Sequence, residues 1–168
     1  THVISSNPGV TNSSSVAFKI TLGGVSVHVA SPHLCVDALA AGVRVYNGIQ
    51  TIVSREVDPF DNVVMAVCKM HAGSTVSTNA DECILEGSIR CINDNSMAWA
   101  RQRLEKLVRM TAEETGTTWS LTWSGEPLPS AHNTPAMYEA FRRSAIKVVG
   151  EDYFKILPPS PGAEDFAY

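Results

Sequence analysis

The sequence predicts an α+β protein whose main part, residues 15–125, is a ferredoxin-like sandwich: an antiparallel sheet with two helices on one face. Three observations predict it. Three stretches alternate apolar and polar residues at the period of two expected of half-buried strands, and a β-prone apolar run adds a fourth. Two longer stretches repeat their apolar residues at helical spacing. The order of these elements is β-α-β-β-α-β, which packs as one sheet layer under one helix layer. With 168 residues, 44% of them hydrophobic and 18% charged, the chain is long enough for one or two small cores.

In the first strand Val16, Phe18, Ile20 and Leu22 alternate with Ala17, Lys19 and Thr21, and Gly23-Gly24 weakens or bends its end. Ser31 suits a helix N-cap and Pro32 a first helical position. Val36, Leu39, Val43, Tyr46, Ile49 and Val53 then mark the apolar face of a helix ending near Arg55. Asp58-Pro59-Phe60-Asp61-Asn62 is turn chemistry leading into a β-prone run, Val63 to Met70. After a polar loop, Ala72 to Asp81, a third strand turns Cys83, Leu85, Ile89 and Cys91 one way and Glu86, Ser88 and Arg90 the other. Asp94 caps a second helix with Met97, Ala100, Leu104 and Leu107 on one face, and Gly116 stops it. Trp119, Leu121 and Trp123 alternate with Thr118, Ser120 and Thr122 in a fourth strand.

The ends do not fit that sandwich. Glu126 to Ser130 reads as a linker, and Thr134-Pro135 starts a third helix that runs through Met137, Phe141, Ala145 and Val148 to Gly150 without partners in the sandwich. Residues 1–14 and 126–168 therefore read as pieces of a second domain into which the sandwich is inserted.

Charge and composition exclude several functions. A net charge of -4 provides no basic stripe for phosphates, so neither nucleic acid nor an acidic membrane surface is an expected partner. No apolar run approaches the roughly 20 residues of a membrane span, and no targeting segment is recognised at the start. The four cysteines form no C-x-x-C pair and sit in apolar stretches, which suits reduced thiols in a cytosol-like compartment. Taken singly, the polar candidates are weak. His28 and His33, five apart across a strand-to-helix junction, lack the i, i+4 spacing that puts two imidazoles on one metal. His71 and His132 lie in polar loops, Arg90 reads as a solvent-facing strand residue, and Glu164-Asp165 as a solvated acidic turn.

Four ordered segments change that reading. His28-Val-Ala-Ser-Pro32-His33 followed by Asp37 resembles the Gly-His-Ala-Ala-x-Pro-His run of the amidohydrolase branch of the M20 metallopeptidases, which includes aminoacylases, hippurate hydrolases and auxin-conjugate hydrolases. Gln50 to Pro59 is similar to that family's helix end, Leu85-Glu-Gly87-Ser-Ile-Arg90 to its Gly-Thr-x-Arg strand, and Gly162-Ala-Glu164-Asp165-Phe166 to its Ser-Glu-Asp-Phe loop.

The resemblance implies a catalytic domain, holding two zinc- or manganese-type ions, interrupted by a ferredoxin-like lid that also dimerises. It implies that His2 is a metal ligand, the one such candidate in this chain. His28 becomes the lid histidine that crosses the dimer to hydrogen-bond the scissile carbonyl oxygen of an N-acyl amino acid in the partner's site. Arg90 and Asn79 become substrate-binding candidates. The chain departs from the pattern where Ser26 and Val27 replace the family's glycines before the histidine, and where Ser77-Thr-Asn79-Ala80 replaces its Asn-Val-Ile-Pro, shifting the asparagine by two. The upstream Cys-Gly-His-Asp and Glu-Glu ligand motifs are absent, and Tyr168 precedes the last metal histidine, so this chain alone is expected to be inactive. The leading expectation is the lid of a deacylating metallohydrolase. The alternative is a non-catalytic ferredoxin-like module that dimerises or binds a small ligand.

Overall fold

A computed structural model describes residues 3–167. The chain forms β1 (Ile4–Ser5), β2 (Gly9–Asn12), β3 (Ser14–Gly23), α1 (Ala38–Arg55), β4 (Val63–Ala72), β5 (Glu82–Cys91), α2 (Asp94–Thr115), β6 (Thr118–Trp123), β7 (Ala131–Asn133), α3 (Pro135–Val149) and β8 (Phe154–Lys155). Strands β4-β5-β3-β6, in that spatial order, make one antiparallel sheet. Both α1 and α2 pack on one face of it, completing the β-α-β-β-α-β sandwich.

The alternation read in β3 and β5 is the alternation observed. Phe18, Ile20, Leu22, Cys83, Leu85 and Ile89 are all buried beneath the helices, while Lys19, Glu86 and Arg90 lie on the opposite face. Gly87 sits in register with Phe18 and Val67. A Cβ there would fall on the carbonyl oxygen of Ala66 and on the ring of Phe18. The motif glycine is thus required by close packing inside the sandwich, not by chemistry at a site.

Helix α1 departs from expectation in two ways. Pro32 opens only a short 3₁₀ turn, Pro32–Leu34, and the α-helix begins six residues later with Asp37 as N-cap, its Oδ1 accepting from the Ala40 N–H at 3.0 Å. The buried face is Ala38, Ala41, Gly42, Val45, Ile49 and Ile52, whereas Leu39, Val43 and Tyr46 are exposed. Small residues won that face because the helix lies close to the sheet: a Cβ on Gly42 would fall on Cys83 Sγ. In α2 the N-cap is Asn93, which accepts from the Ser96 N–H at 2.7 Å, with Asp94 in the first turn beside the positive end of the helix dipole. Gly116, at φ 73°, stops the helix in the left-handed conformation expected of a glycine.

The flanking segments make a separate, smaller cluster. Strand β1 pairs in parallel with β8, and β2 pairs antiparallel with β7. Tyr138 and Ala145 of α3 bury against Phe154, with Ile4 and Ile146 at the margin. Met137, Phe141 and Val148 of the same helix remain exposed, and the buried hydroxyl of Tyr138 has no hydrogen-bond partner among the described residues.

Candidate functional site

His28 sits on an exposed excursion, residues 24–36, that leaves the sheet where β3 ends. Its base is closed by reciprocal backbone hydrogen bonds between Val25 and Val36, at 2.9 and 3.1 Å, and by Gly24 N–H to Asp81 O at 2.7 Å. Gly24 permits that closure, because a Cβ there would fall on Val36 O. No residue from 25 to 35 is buried, so hydrogen bonds rather than packing hold the tip.

Those bonds run to the loop after β4. Thr78 opposes His28 as an isolated antiparallel bridge. Val29 N–H donates to Ser77 O at 2.9 Å, Asn79 N–H donates to Val27 O at 3.1 Å, and Ser26 Oγ donates to Asn79 O at 2.6 Å. The imidazole is oriented by its own turn: Nδ1 accepts from the Ala30 N–H at 3.2 Å. With Nδ1 an acceptor, the neutral ring carries its proton on Nε2, which is left as a donor on an exposed side chain.

Asn79 lies beside His28 and is half-buried. Its Nδ2 donates to Asp37 Oδ2 at 3.2 Å, and its buried Oδ1 has no partner among the described residues. Asp37 and Asn79 line a shallow open hollow of about 460 Å³ bounded by the loop Gly73–Ala80. Arg90 lies elsewhere. It stands near the far end of β5 on the face away from the helices, in register with Ser15 and Val64, and donates to Pro161 O at 3.3 Å. The return segment docks there too: Ser13 N–H donates to Ser160 O and Gly162 O, both at 3.1 Å, and Asn12 Nδ2 to Gly162 O at 3.2 Å. Eight residue steps along β5 take the chain from Glu82, at the His28 end, to Arg90, a span of roughly 25 Å at about 3.3 Å per step.

The structure therefore brings His28 and Asn79 together and holds Arg90 apart, against the return segment at Pro161, while Glu164 and Asp165 are exposed. His2 lies outside the described residues. Among those described, no group of three or more His, Cys, Asp or Glu side chains is placed to hold a metal ion. His33 and His71 are exposed, and His132 Nε2 is 2.9 Å from Ser130 Oγ. Sequence reasoning missed the contributions of Ser26, Thr78 and Asp37 around His28. Only Asp37, inside the histidine motif, carried a visible signal.

A hollow of about 430 Å³ on the open sheet face, lined by Lys19, Cys68, Lys69, Glu86, Thr122 and Trp123, is separate from these residues. Lys69 Nζ bridges Glu86 Oε2 there at 2.8 Å, which holds the Glu86 carboxyl below its usual range.

Comparison with known proteins agrees with this fold. Residues 10–116 match the model of the M20 peptidase dimerisation domain. The chain is 30% identical to an N-acetyldiaminopimelate deacetylase of Streptococcus sanguinis, over 98% of this chain and 44% of that protein. It is 27% identical to the IAA-amino acid hydrolase ILR1-like 2 of Arabidopsis thaliana, over 90% and 35%. Among solved structures it superimposes on the Bacillus subtilis YXEP protein, a dinuclear metal binding peptidase from the M20 family, with a TM-score of 0.73 and 21% identity, over 97% of this chain and 39% of that one. A tripeptidase from Staphylococcus aureus gives a TM-score of 0.78 at 21% identity, over 99% and 42%. The chain spans less than half the length of each of these proteins.

Proposed function

The chain belongs to the M20 peptidase family, through its dimerisation domain, and from that premise we propose that it is the lid of a metal-dependent hydrolase that deacylates N-acyl amino acids. On this reading the chain divides near residues 14 and 125 into the inserted lid and two pieces of the catalytic domain. Two divalent ions, of zinc or manganese type, are held mainly by the remainder of that enzyme, with His2 as the one candidate ligand here. They supply the activated water. The residues of this chain supply binding and orientation.

The observation that carries the reading is the separation of His28 from Arg90. A small N-acyl amino acid cannot touch both within one chain, because they lie at opposite ends of β5, roughly 25 Å apart by strand geometry. A homodimer resolves this: Arg90, beside the return segment, serves its own subunit's site, and His28 reaches the site of the partner. The exposed stripe Leu39, Val43 and Tyr46 on α1, beside the open edge of β4, supports a second copy as the occupant of that face.

In this arrangement the Nε2–H of His28 donates to the scissile carbonyl oxygen as negative charge develops on it, stabilising the transition state more than the ground state. Arg90 and Asn79 are the candidates for holding the substrate. Four free thiols, with Cys83 and Cys91 buried, support a reducing, cytosol-like compartment as part of the same proposal.

Replacing His28 with Ala in the longer, metal-loaded enzyme is expected to lower kcat on an N-acetyl amino acid by about 10² or more, as for the loss of one oxyanion donor, with metal content intact. Unchanged turnover would defeat the proposal. The competing reading, a binding module without catalysis, predicts no stoichiometric metal in the longer protein.

A further inference from the structure

The tip that carries His28 has no buried side chain of its own, so its orientation has to be imposed by its neighbours through hydrogen bonds. Segments held this way open easily unless they are tied to something rigid. Asp37 is such a tie. Its Oδ1 caps α1, a helix whose inner face lies in the sandwich core, and its Oδ2 accepts from Asn79 Nδ2 at 3.2 Å. Turning the Asn79 amide over would set its oxygen against the carboxylate, so this orientation of the amide is fixed by charge. Asn79 in turn donates its backbone N–H to Val27 O and accepts at its carbonyl from Ser26 Oγ, gripping the strand that ends in His28.

We infer that Asp37 and Asn79 are positioning residues for His28: the carboxylate at the start of α1 locks the 77–79 strand against 26–29 and so fixes the direction of the Nε2–H donor. Asn79 then acts through His28 in addition to its proposed contact with the substrate, its Nδ2 being engaged by Asp37. The inference rests on the reading of His28 as a donor to a substrate in the partner's site.

The carboxylate has two oxygens in use and an amide has only one, which makes a charge swap informative. Asn79→Asp sets two carboxylates face to face and is expected to speed amide hydrogen exchange at Val29 and Ser31 by about tenfold or more, leaving Ile20 and Leu85 unchanged; tenfold corresponds to about 1.4 kcal/mol. Asn79→Ala, a milder change that keeps the α1 cap, is expected to act in the same direction. The double variant Asp37→Asn with Asn79→Asp restores the pair with donor and acceptor exchanged. The amide then at position 37 keeps its oxygen for the Ala40 N–H and offers its NH₂ to the carboxylate at position 79. This swap should return exchange at Val29 toward the parent rate. In the longer enzyme Asn79→Asp should lower kcat with metal content unchanged, and the swap should recover it. Unaltered exchange at Val29 in both single variants, or no recovery in the swap, overturns the inference. So does a kcat that falls in His28→Ala but not in Asn79→Asp. If exchange responds as expected while neither His28→Ala nor Asn79→Asp affects turnover, the positioning of His28 stands and the catalytic use of His28 fails.

Discussion

The sandwich and its flanks are built from similar residues, yet only the sandwich closes its own core. Among the described residues, nineteen buried side chains from three strands and two helices meet in it, with β6 packed at its margin, against three in the cluster of α3 and β8. In the flank, a helix of 15 residues leaves Met137, Phe141 and Val148 exposed and a buried tyrosine hydroxyl without a partner among the described residues. The difference teaches that amphipathic periodicity reports that a surface will be covered, without saying that the cover lies nearby in the chain. The exposed stripe of α1 makes the same point inside the sandwich, where the proposed cover is a second copy.

All three tryptophans, Trp99, Trp119 and Trp123, belong to the sandwich, so their fluorescence follows its unfolding alone. The largest expected effect is Leu85→Ala, at a fully buried position, which should cost about 3–5 kcal/mol in denaturant titration followed by tryptophan emission. Phe154→Ala in the flank should leave that transition nearly unmoved, because the two clusters share no residues. A comparable shift from both would merge the regions into one cooperative unit.

Gly87→Ala should come next, at about 1–3 kcal/mol, because its Cβ meets the Ala66 carbonyl and the Phe18 ring and β5 cannot move away from both. A neutral result would show more slack in the sheet than the packing implies.

Alkaline pH separates the regions by chemistry. Burial, reinforced by the charge of Asp61, pushes the Cys91 thiol up to about 12, and Cys83 is raised mainly by burial as well. The folded sandwich therefore keeps thiol protons that the unfolded chain releases near pH 9. Its stability is intact below that pH and, through Cys91, falls by about 1.4 kcal/mol per pH unit as pH rises from 9 toward 12, with Cys83 acting in the same direction. Cys91→Ala should flatten that slope, measured by denaturant titration across the range.

The smallest expected effect lies in the flank. Thr134 Oγ1 caps α3 by accepting from the Met137 N–H at 3.3 Å, and Thr134→Ala should cost about 1 kcal/mol locally. It should appear as faster exchange of the α3 amides with the tryptophan transition unchanged.

Much of the sandwich was legible because β3 and β5 carry a large apolar residue at nearly every inward position, from Val16 to Leu22 and from Cys83 to Cys91. Helix α1 was misread on its face because bulky residues there point outward, while Ala38, Ala41 and Gly42 occupy the tight space against the sheet. Its start was misplaced because Ser31-Pro32 has the same local chemistry whether a 3₁₀ turn or an α-helix follows. For the site, the residues of the histidine motif were visible in the sequence, but the strand that braces His28 was not. That brace consists mainly of backbone hydrogen bonds from Ser77 and Asn79, and Ser77-Thr78-Asn79 has no apolar period to announce pairing.

His28 is proposed to work in a neighbouring subunit's site. Mixing two inactive forms of the longer enzyme tests it most directly, one carrying His28→Ala and the other an intact lid but a catalytic domain disabled in metal binding. Subunit exchange between them is predicted to restore turnover that neither parent shows, because mixed dimers unite an intact metal site with a histidine from the other chain. A mixture that exchanges subunits and stays inactive would contradict it.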